Sequence, residues 1–220
     1  MTNMMLYQIK SKGSINLLQL VERMEVSVND DMQGIIIREY DDGFLKATYW
    51  KKKIRRESRY NIDRHEFEPY EEEIVNVADF VIQMEEEKLL IFGSKDMAQR
   101  IITIVGVASK NLFLISEFII NIEKLLHKIS LEKQIELLKI KLIDIPIEKN
   151  ILVSCNVNLS SQDEPDEIAL KYVKNIMVVS FKLKQIPVAV TVYRAGKISI
   201  GKVSEDEQDE LVRIIMRIVD

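Results

Sequence analysis

The sequence predicts an α+β protein with two similar halves, each a curved antiparallel sheet backed by helices. Three observations favour this fold class. Apolar residues alternate with polar ones in several short segments, which is typical of half-buried strands, and recur at helical spacing in others. The 220 residues include only 7 glycines and 4 prolines, which indicates regular elements joined by short turns. A series of hairpin, glycine and helix occurs twice along the chain.

The first half, residues 1–110, is predicted to be one α+β repeat. Ser14 is a candidate helix N-cap, and Asp42-Gly43 is the dipeptide most typical of a two-residue hairpin turn. The charged segment near 55–73 is predicted to be a hairpin insertion within this repeat. The predicted elements are strand 4–10, a helix from 17 to about 24, strands 34–40, 44–54, 74–84 and 88–92, and helix 96–105.

The second half, residues 150–220, is predicted to be a similar α+β repeat. Residues 111–142 show amphipathic helical spacing, so residues 111–149 are predicted to form a helical connector between the repeats. The predicted elements after it are strand 150–160, a short helix ending near 172, strand 176–184, a hairpin of 187–194 with 197–201 across Ala195-Gly196, and a final helix after Ser204.

The two hairpins align without a gap, so that Phe80 falls on Val188 and Gly93 on Gly201. Gly196-Lys197-Ile198-Ser199-Ile200-Gly201, followed by Ser204, acidic residues and a helix, resembles the end of a repeat of the TATA-box-binding-protein fold. The first half keeps the strand and its glycine but has Glu87 where that family has a glycine before the lysine.

Two other families show a looser resemblance. Two-repeat sheets of this kind also occur in centromere proteins of the L and N type, and residues 7–17 look like the start of a phage-exclusion protein of the Rex A type. The resemblance to the TATA-box-binding fold implies a duplicated saddle-shaped sheet that contacts the minor groove of DNA. A shared fold does not by itself define a function.

Composition and charge narrow the classes of function. The net charge of -4 shows no overall attraction to nucleic acid or membranes. The start of the chain lacks the pattern of a signal peptide, and the apolar stretch 112–129 carries four charges, too many for a membrane span. One cysteine and two histidines exclude a disulfide framework and a multi-cysteine zinc site. We therefore expect a cytoplasmic protein with no membrane partner, no cofactor and no metal.

The strands of the second half have one apolar and one polar phase. The apolar phase includes Cys155 and is expected to face the helices, whereas the opposite phase carries amides, hydroxyls and only positive charge. Residues 171–202 contain seven basic residues and no acidic one, which suits phosphate contacts. The alternative is a solvated sheet face with lysines that discourage aggregation at the sheet edge.

A second basic segment lies in the first half, where residues 46–64 contain eight basic residues interleaved with Trp50. The alternatives are a charged hairpin tip and a Trp50 that belongs to the core. The following residues 66–87 carry nine acids and no base. We expect these acids to pair either with the basic segment or with the basic arm of a partner. The other strand phase of this half is apolar and is expected to be covered by the 111–142 helices or by a second subunit; it comprises Ile36, Val81, Leu89 and Ile91.

The strongest candidate for catalysis is Asp79 with Glu86-Glu87-Lys88, because neighbouring carboxylates and a lysine can hold Mg²⁺ in a nuclease. Such triplets are frequent in any chain rich in Glu and Lys. His65 and His127 are more typical of solvated or structural histidines. No catalytic residue is therefore assigned, and a metal-dependent nuclease ranks third among the functions.

The function predicted from the sequence is non-catalytic nucleic-acid binding, with double-stranded DNA preferred over RNA. The phosphate contacts are assigned to Lys182, Lys184, Arg194 and Lys197. The groove contacts are assigned to Asn156, Asn158, Thr191 and Tyr193. A second clamp is assigned to Lys46, Trp50, Lys52, Arg55 and Arg56. The alternative is a protein-interaction module of a larger complex, for example in phage defence or segregation, that uses the acidic 66–87 stretch and the apolar first sheet; a homodimer is compatible with either.

Overall fold

The computed structural model describes residues 2–13 and 15–219, and it confirms an α+β protein built on antiparallel sheet. The strands are β1 (Thr2–Ser11), β2 (Gln33–Tyr40), β3 (Phe44–Asn61), β4 (Glu66–Gln83), β5 (Lys88–Phe92), β6 (Phe113–Glu117), β7 (Ile135–Glu148), β8 (Ile151–Asn158), β9 (Ile176–Leu183), β10 (Ala189–Tyr193) and β11 (Lys197–Ile200). The helices are α1 (Leu17–Val28), α2 (Lys95–Ala108), α3 (Ile122–Leu131), α4 (Pro165–Lys171) and α5 (Glu205–Val219).

The chain divides into two units. The N-terminal unit is Gln8–Ser116, and the C-terminal unit combines residues 2–7 with residues 117–219. β1 therefore contributes its first residues to the C-terminal unit and its last residues to the N-terminal unit.

The N-terminal unit has the strand order β2-β3-β4-β5-β1, with α1 and α2 packed on one face. Tyr49 and Phe80 are fully buried against these helices, as the alternation of β3 and β4 predicts. α1 is capped by Asn16, whose side chain accepts from the backbone N–H of Leu18. The predicted cap Ser14 lies outside the described residues.

The longest elements of this unit are β3 and β4, which pair continuously from Phe44 opposite Gln83 to Asn61 opposite Glu66. β2 accompanies β3 only to Lys51, and β5 accompanies β4 only from Asp79 onward. The outer halves of β3 and β4 thus form a two-stranded arm, here called the arm (residues 53–77). The charged segment near 55–73 is an ordered part of this hairpin.

The C-terminal unit has the strand order β1-β11-β10-β9-β7-β8. Its core joins Val179, Phe181 and Val190 of the sheet to apolar residues of α3 and α5, such as Leu125 and Leu211, all of them fully buried. Gly196 makes the predicted tight turn between β10 and β11 with a φ of +79°. The helices cover one face of the sheet, and the other face is the polar phase.

The structure corrects the prediction of a helical connector over residues 111–149. Only α3 is helical in this region, since β6 precedes it and the 14-residue strand β7 follows it. Within β7, Lys139 and Lys141 alternate with buried Ile140 and Leu142, which is the period of a strand. The mixture of isoleucine, leucine and lysine in this stretch also satisfies a helical pattern over short windows, which explains the error.

Two predictions of burial are also wrong. Cys155 lies on the helix-facing phase of β8, opposite buried Leu142, but it is exposed because β8 is the outermost strand of its sheet. Leu89 and Ile91 are predicted to share the phase of Ile36 and Val81, outside the core, whereas both are fully buried in the core beside Phe80 and Ile82. Ile36 and Val81 do lie on the open face; Ile36 is exposed and Val81 is half-buried.

Candidate nucleic-acid interface

A groove of about 740 Å³ lies on the open face of the C-terminal unit's sheet. A row of polar residues crosses the groove on five neighbouring strands, as the strand registers show. The row consists of Lys139, Ser180, Thr191, Ser199 and Asn3. With strands about 4.8 Å apart, the row spans about 19 Å. The strand pairing thus forms one continuous polar surface from segments far apart in sequence.

The floor of the groove is made of small hydroxyl and amide groups that bond to one another. The hydroxyls of Ser180 and Thr191 lie 3.0 Å apart, and Ser199 Oγ donates to Asn3 Oδ1 at 2.8 Å. Ser180 is only 2% exposed and Ser199 only 6%, so these pairs are held in place by packing. Their partners Thr191 and Asn3 are half-buried, so the hydroxyl and the amide of these two residues keep further hydrogen-bonding capacity for a ligand in the groove.

Four cationic side chains line the groove: Lys139, Lys141, Arg194 and Lys197. None of the residues lining the groove is acidic, and no carboxylate of the described residues lies within 4 Å of these four cations. Arg194 Nη2 donates to the carbonyl of Val173 at 3.0 Å, which holds the guanidinium at the groove margin. The ammonium of Lys197 lies 5.2 Å from the ring centroid of Tyr193. Positive charge is therefore concentrated around a neutral floor.

Five of the predicted site residues line this groove: Asn156, Thr191, Tyr193, Arg194 and Lys197. The remaining three predicted residues of this half lie outside it. Lys182 is on the same sheet face but stands opposite Glu136 and Ala189. Lys184 Nζ donates to the carbonyl of Lys133 at 3.1 Å. Asn158 accepts from the backbone N–H and the hydroxyl of Ser160, and so stabilises the turn after β8.

Sequence reasoning missed Lys139, Lys141 and Asn3. The two lysines lie in β7, in a stretch that the sequence predicts to be helical. The alternation of Lys139, Ile140, Lys141 and Leu142 is the signal that identifies them, because it places both lysines on one face of a strand. Asn3 lies in β1, which is predicted from the sequence to begin only at residue 4.

The predicted second clamp is largely neutralised by the strand beside it. Lys52 lies 2.8 Å from Glu73, and Arg56 lies 2.8 Å from Glu71. The hydrogen bond to Glu73, followed by the charge of that carboxylate, raises the pKa of Lys52. Arg55 pairs with Glu57 within its own strand.

The arm also uses aromatic contacts. The guanidinium of Arg59 lies 3.4 Å from the ring centroid of Tyr70, and the rings of Tyr60 and Phe67 meet edge to face with centroids 5.2 Å apart. The basic and acidic segments thus pair with each other inside one hairpin. This arrangement weakens both the clamp and the alternative in which the acids bind a partner.

Trp50 and Lys46 are the remaining residues of the predicted clamp. Trp50 is half-buried and packs so closely on Gly34 that a Cβ there would lie 2.6 Å from its Nε1 atom. Its ring is therefore largely engaged with the backbone of β2. Lys46 is exposed and stands opposite Val81, with no ion pair to any described residue.

The candidate nuclease residues do not meet. Asp79 stands opposite Phe92, four residues from Lys88 along β5, which corresponds to about 13 Å. Asp79 instead accepts from the hydroxyl of Thr48 at 2.6 Å, and Lys88 donates to Glu86 at 2.9 Å. Across residues 2–13 and 15–219, no group of three or more His, Cys, Asp or Glu side chains is arranged to hold a metal ion. His127 and His65 are both exposed.

Comparison of the chain with protein-family models and with curated proteins finds no match. In the part of the chain that the structure describes, no helix has the length and apolar character needed to cross a membrane.

Proposed function

We propose that this protein binds nucleic acid without catalysis, in the polar groove of its C-terminal unit, and that duplex DNA is its preferred partner. One observation carries the proposal. Lys139, Lys141, Arg194 and Lys197 converge on one groove from β7, from the end of β10 and from β11, with no acid in the lining. Such a surface favours a ligand that carries regularly spaced negative charge, because phosphate contacts dominate the affinity of proteins for nucleic acids.

The floor of the groove favours a duplex over a single strand. Proteins that bind single strands use exposed aromatic rings on which the bases stack. The aromatic side chain in this groove is Tyr193, and the ammonium of Lys197 lies over its ring. Hydroxyls and amides such as Thr191 and Asn156 suit hydrogen bonds to sugars and to base edges in a groove. The polar row of about 19 Å equals the length of duplex axis that holds about six phosphates of one DNA strand.

The test is binding of the full chain to a short labelled duplex, measured by fluorescence anisotropy at about 50 to 300 mM salt. If four cations each contact a phosphate, the logarithm of the affinity falls with the logarithm of salt at a slope of about -3.6. A single strand of the same sequence is expected to bind more weakly. Absence of binding to either nucleic acid at the lowest salt would overturn the proposal.

We also infer that the two halves arose from a duplicated α+β repeat of the kind that the TATA-box-binding resemblance implies. The element order supports this. The first half runs β1-α1-β2-β3-β4-β5-α2, and the second runs β6-α3-β7-β9-β10-β11-α5 once β8 and α4 are set aside as an insertion. The strand orders β2-β3-β4-β5 and β7-β9-β10-β11 correspond as well.

A further inference from the structure

β8 is the outermost strand of its sheet, and within the described residues it pairs only with β7. Its eight residues, Ile-Leu-Val-Ser-Cys-Asn-Val-Asn, include no charge, no proline and no glycine. Proteins usually protect an edge strand with charged residues, proline or bulges, because its free N–H and C=O groups can accept another strand. β8 has none of these residues, so its outer edge is open to pairing.

The other free edges of the molecule show the contrast. β2, the last strand in the order of the N-terminal unit, carries Arg38 and Glu39. The arm strands carry a charge at nearly every second position. Irregular pairing between β7 and β8 is confined to Leu142–Glu148 of β7, so the stretch from Cys155 to Asn158 is regular. β8 is therefore the least protected of these edges against the addition of another strand.

Apolar side chains surround the same edge. Leu152 is 61% exposed, Ile151 is 49% exposed, and Ile147 at the end of β7 is 64% exposed. An added strand would remove part of this apolar surface from water, which favours pairing by about 25 cal/mol for each Å² buried.

We propose that β8 pairs antiparallel with β8 of a second copy of this chain. A two-fold interface places like residues near one another, so a strand that pairs with itself must avoid charge, since like charges opposite each other are unfavourable. β8 meets this condition over its whole length. With Cys155 opposite its counterpart, the groove-facing Ser154 of one copy stands opposite Asn156 of the other and can hydrogen-bond to it. A charged partner strand would find no complementary charge on β8.

The pairing also extends the groove, a consequence that rests on the proposed function. Antiparallel pairing keeps the same faces of the two sheets on the same side, so the two polar faces join across the two-fold axis. Asn156 and Lys141 line the groove on β8 and its neighbour β7, next to that axis. The dimer then presents eight groove cations instead of four to a duplex with two-fold symmetry. The salt slope is expected to steepen from about -3.6 to about -7.2.

The dimer is tested without nucleic acid, so its failure is distinguishable from failure of the proposed function. Sedimentation equilibrium of the full chain over micromolar concentrations is expected to show a monomer–dimer equilibrium. A short bifunctional maleimide is expected to cross-link the dimer through Cys155, the only cysteine in the chain. Leu152→Lys/Ser154→Lys adds the kind of charge that protects edge strands and is expected to abolish both signals.

The matched control is Ile62→Lys/Phe67→Lys, which adds the same charge at exposed positions of the β3–β4 hairpin and is expected to leave the dimer intact. Circular dichroism and thermal melting verify that each variant folds. The proposal is overturned if the wild-type chain is monomeric throughout, if the dimer survives the edge substitutions, or if β8 is found paired with a strand of a different protein. A dimer with a salt slope that stays near -3.6 would refute the joined groove.

Discussion

Removal of two of the four groove cations tests the proposed function most directly. We choose Lys139→Gln/Lys141→Gln, because both lysines are exposed on β7 and have no ion pair with a described residue. Each phosphate contact contributes about -0.9 to the salt slope, so the slope is expected to change from about -3.6 to about -1.8. If the two chains bind equally at about 1 M salt, the wild-type chain is expected to bind about 60-fold more tightly than the variant at about 0.1 M salt. This ratio corresponds to about 2.4 kcal/mol of binding free energy.

The assay is anisotropy of a labelled duplex at several salt concentrations. Between about 50 and 200 mM salt, the affinity advantage of the wild-type chain over the variant is expected to fall about 12-fold. The matched control is Lys182→Gln/Lys184→Gln, which removes the same charge from the same unit. Lys182 faces Glu136 and Lys184 donates to the carbonyl of Lys133, so this variant is expected to retain a slope close to that of the wild type.

Two results would refute this reasoning. If both double variants lose affinity equally, binding depends on the net charge of the unit and not on the groove. If the control loses the slope and the β7 variant keeps it, the phosphates contact Lys182 and Lys184, the phosphate contacts that the sequence predicts. If the protein dimerises through β8, the salt slope of each variant is expected to double, and the β7 variant still has the shallower slope of the two.

Three further predictions concern the fold. Arg56→Glu is expected to speed hydrogen exchange in the arm about two- to fivefold, and the charge-reversed Arg56→Glu/Glu71→Arg is expected to restore the wild-type rate. The effect is small because the two side chains are 76% and 57% exposed. Equal exchange in both variants would contradict a cross-strand ion pair. Hydrogen bonds from the hydroxyl and backbone N–H of Ser204 lower the pKa of Glu207, so its charge stabilises the start of α5 at neutral pH and this stabilisation is lost as pH falls through that lowered pKa. Glu207→Gln is therefore expected to melt earlier than wild type at pH 7 and equally in strong acid, and a gap that widens in acid would refute this. Gly196→Ala is expected to lower the free energy of unfolding by at least about 2 kcal/mol, as measured by chemical denaturation. The reason is that Gly196 has a φ of +79° and that a Cβ would lie 2.6 Å from the Phe118 carbonyl oxygen. Gly13→Ala, with open space around the added Cβ, is expected to lower it by less than about 1 kcal/mol.

The hairpins were predictable because their signals are local. Asp42-Gly43 turns the chain where expected, with the Gly43 N–H bonded to the Asp41 side chain at 2.8 Å. The turn at Glu85–Glu87 and the glycine turn at Gly196 also lie where the sequence places them. Alternation also predicts that Leu45, Ala47 and Tyr49 form the buried face of β3, and all three are buried. Turn chemistry and period-2 patterning depend on neighbours in sequence, so one sequence suffices to read them.

Burial at a sheet edge could not be predicted in the same way. The pattern of β8 is correct in phase, since Cys155 stands opposite the buried Leu142. Whether that phase is covered depends on the position of the strand in the sheet, which long-range pairing decides. A strand that reads as core can therefore be exposed when it lies outermost, and this is the property that makes β8 a candidate for pairing with a second copy.

The density of basic residues in a sequence does not show which of them are free of acidic partners, as the two halves of this protein illustrate. The densest basic segment, residues 46–64, is paired along its length with the most acidic one, because the register sets Arg56 opposite Glu71 and Arg59 opposite Glu68. The groove is sparser in sequence, since its four cations come from segments about 55 residues apart, at Lys139 and at Arg194. The groove is nevertheless the better candidate for binding a polyanion, because the strand order brings these cations together without an acid in the lining. Only knowledge of which strands are neighbours separates a neutralised charge from an available one, and this information becomes visible only when the sheet is assembled.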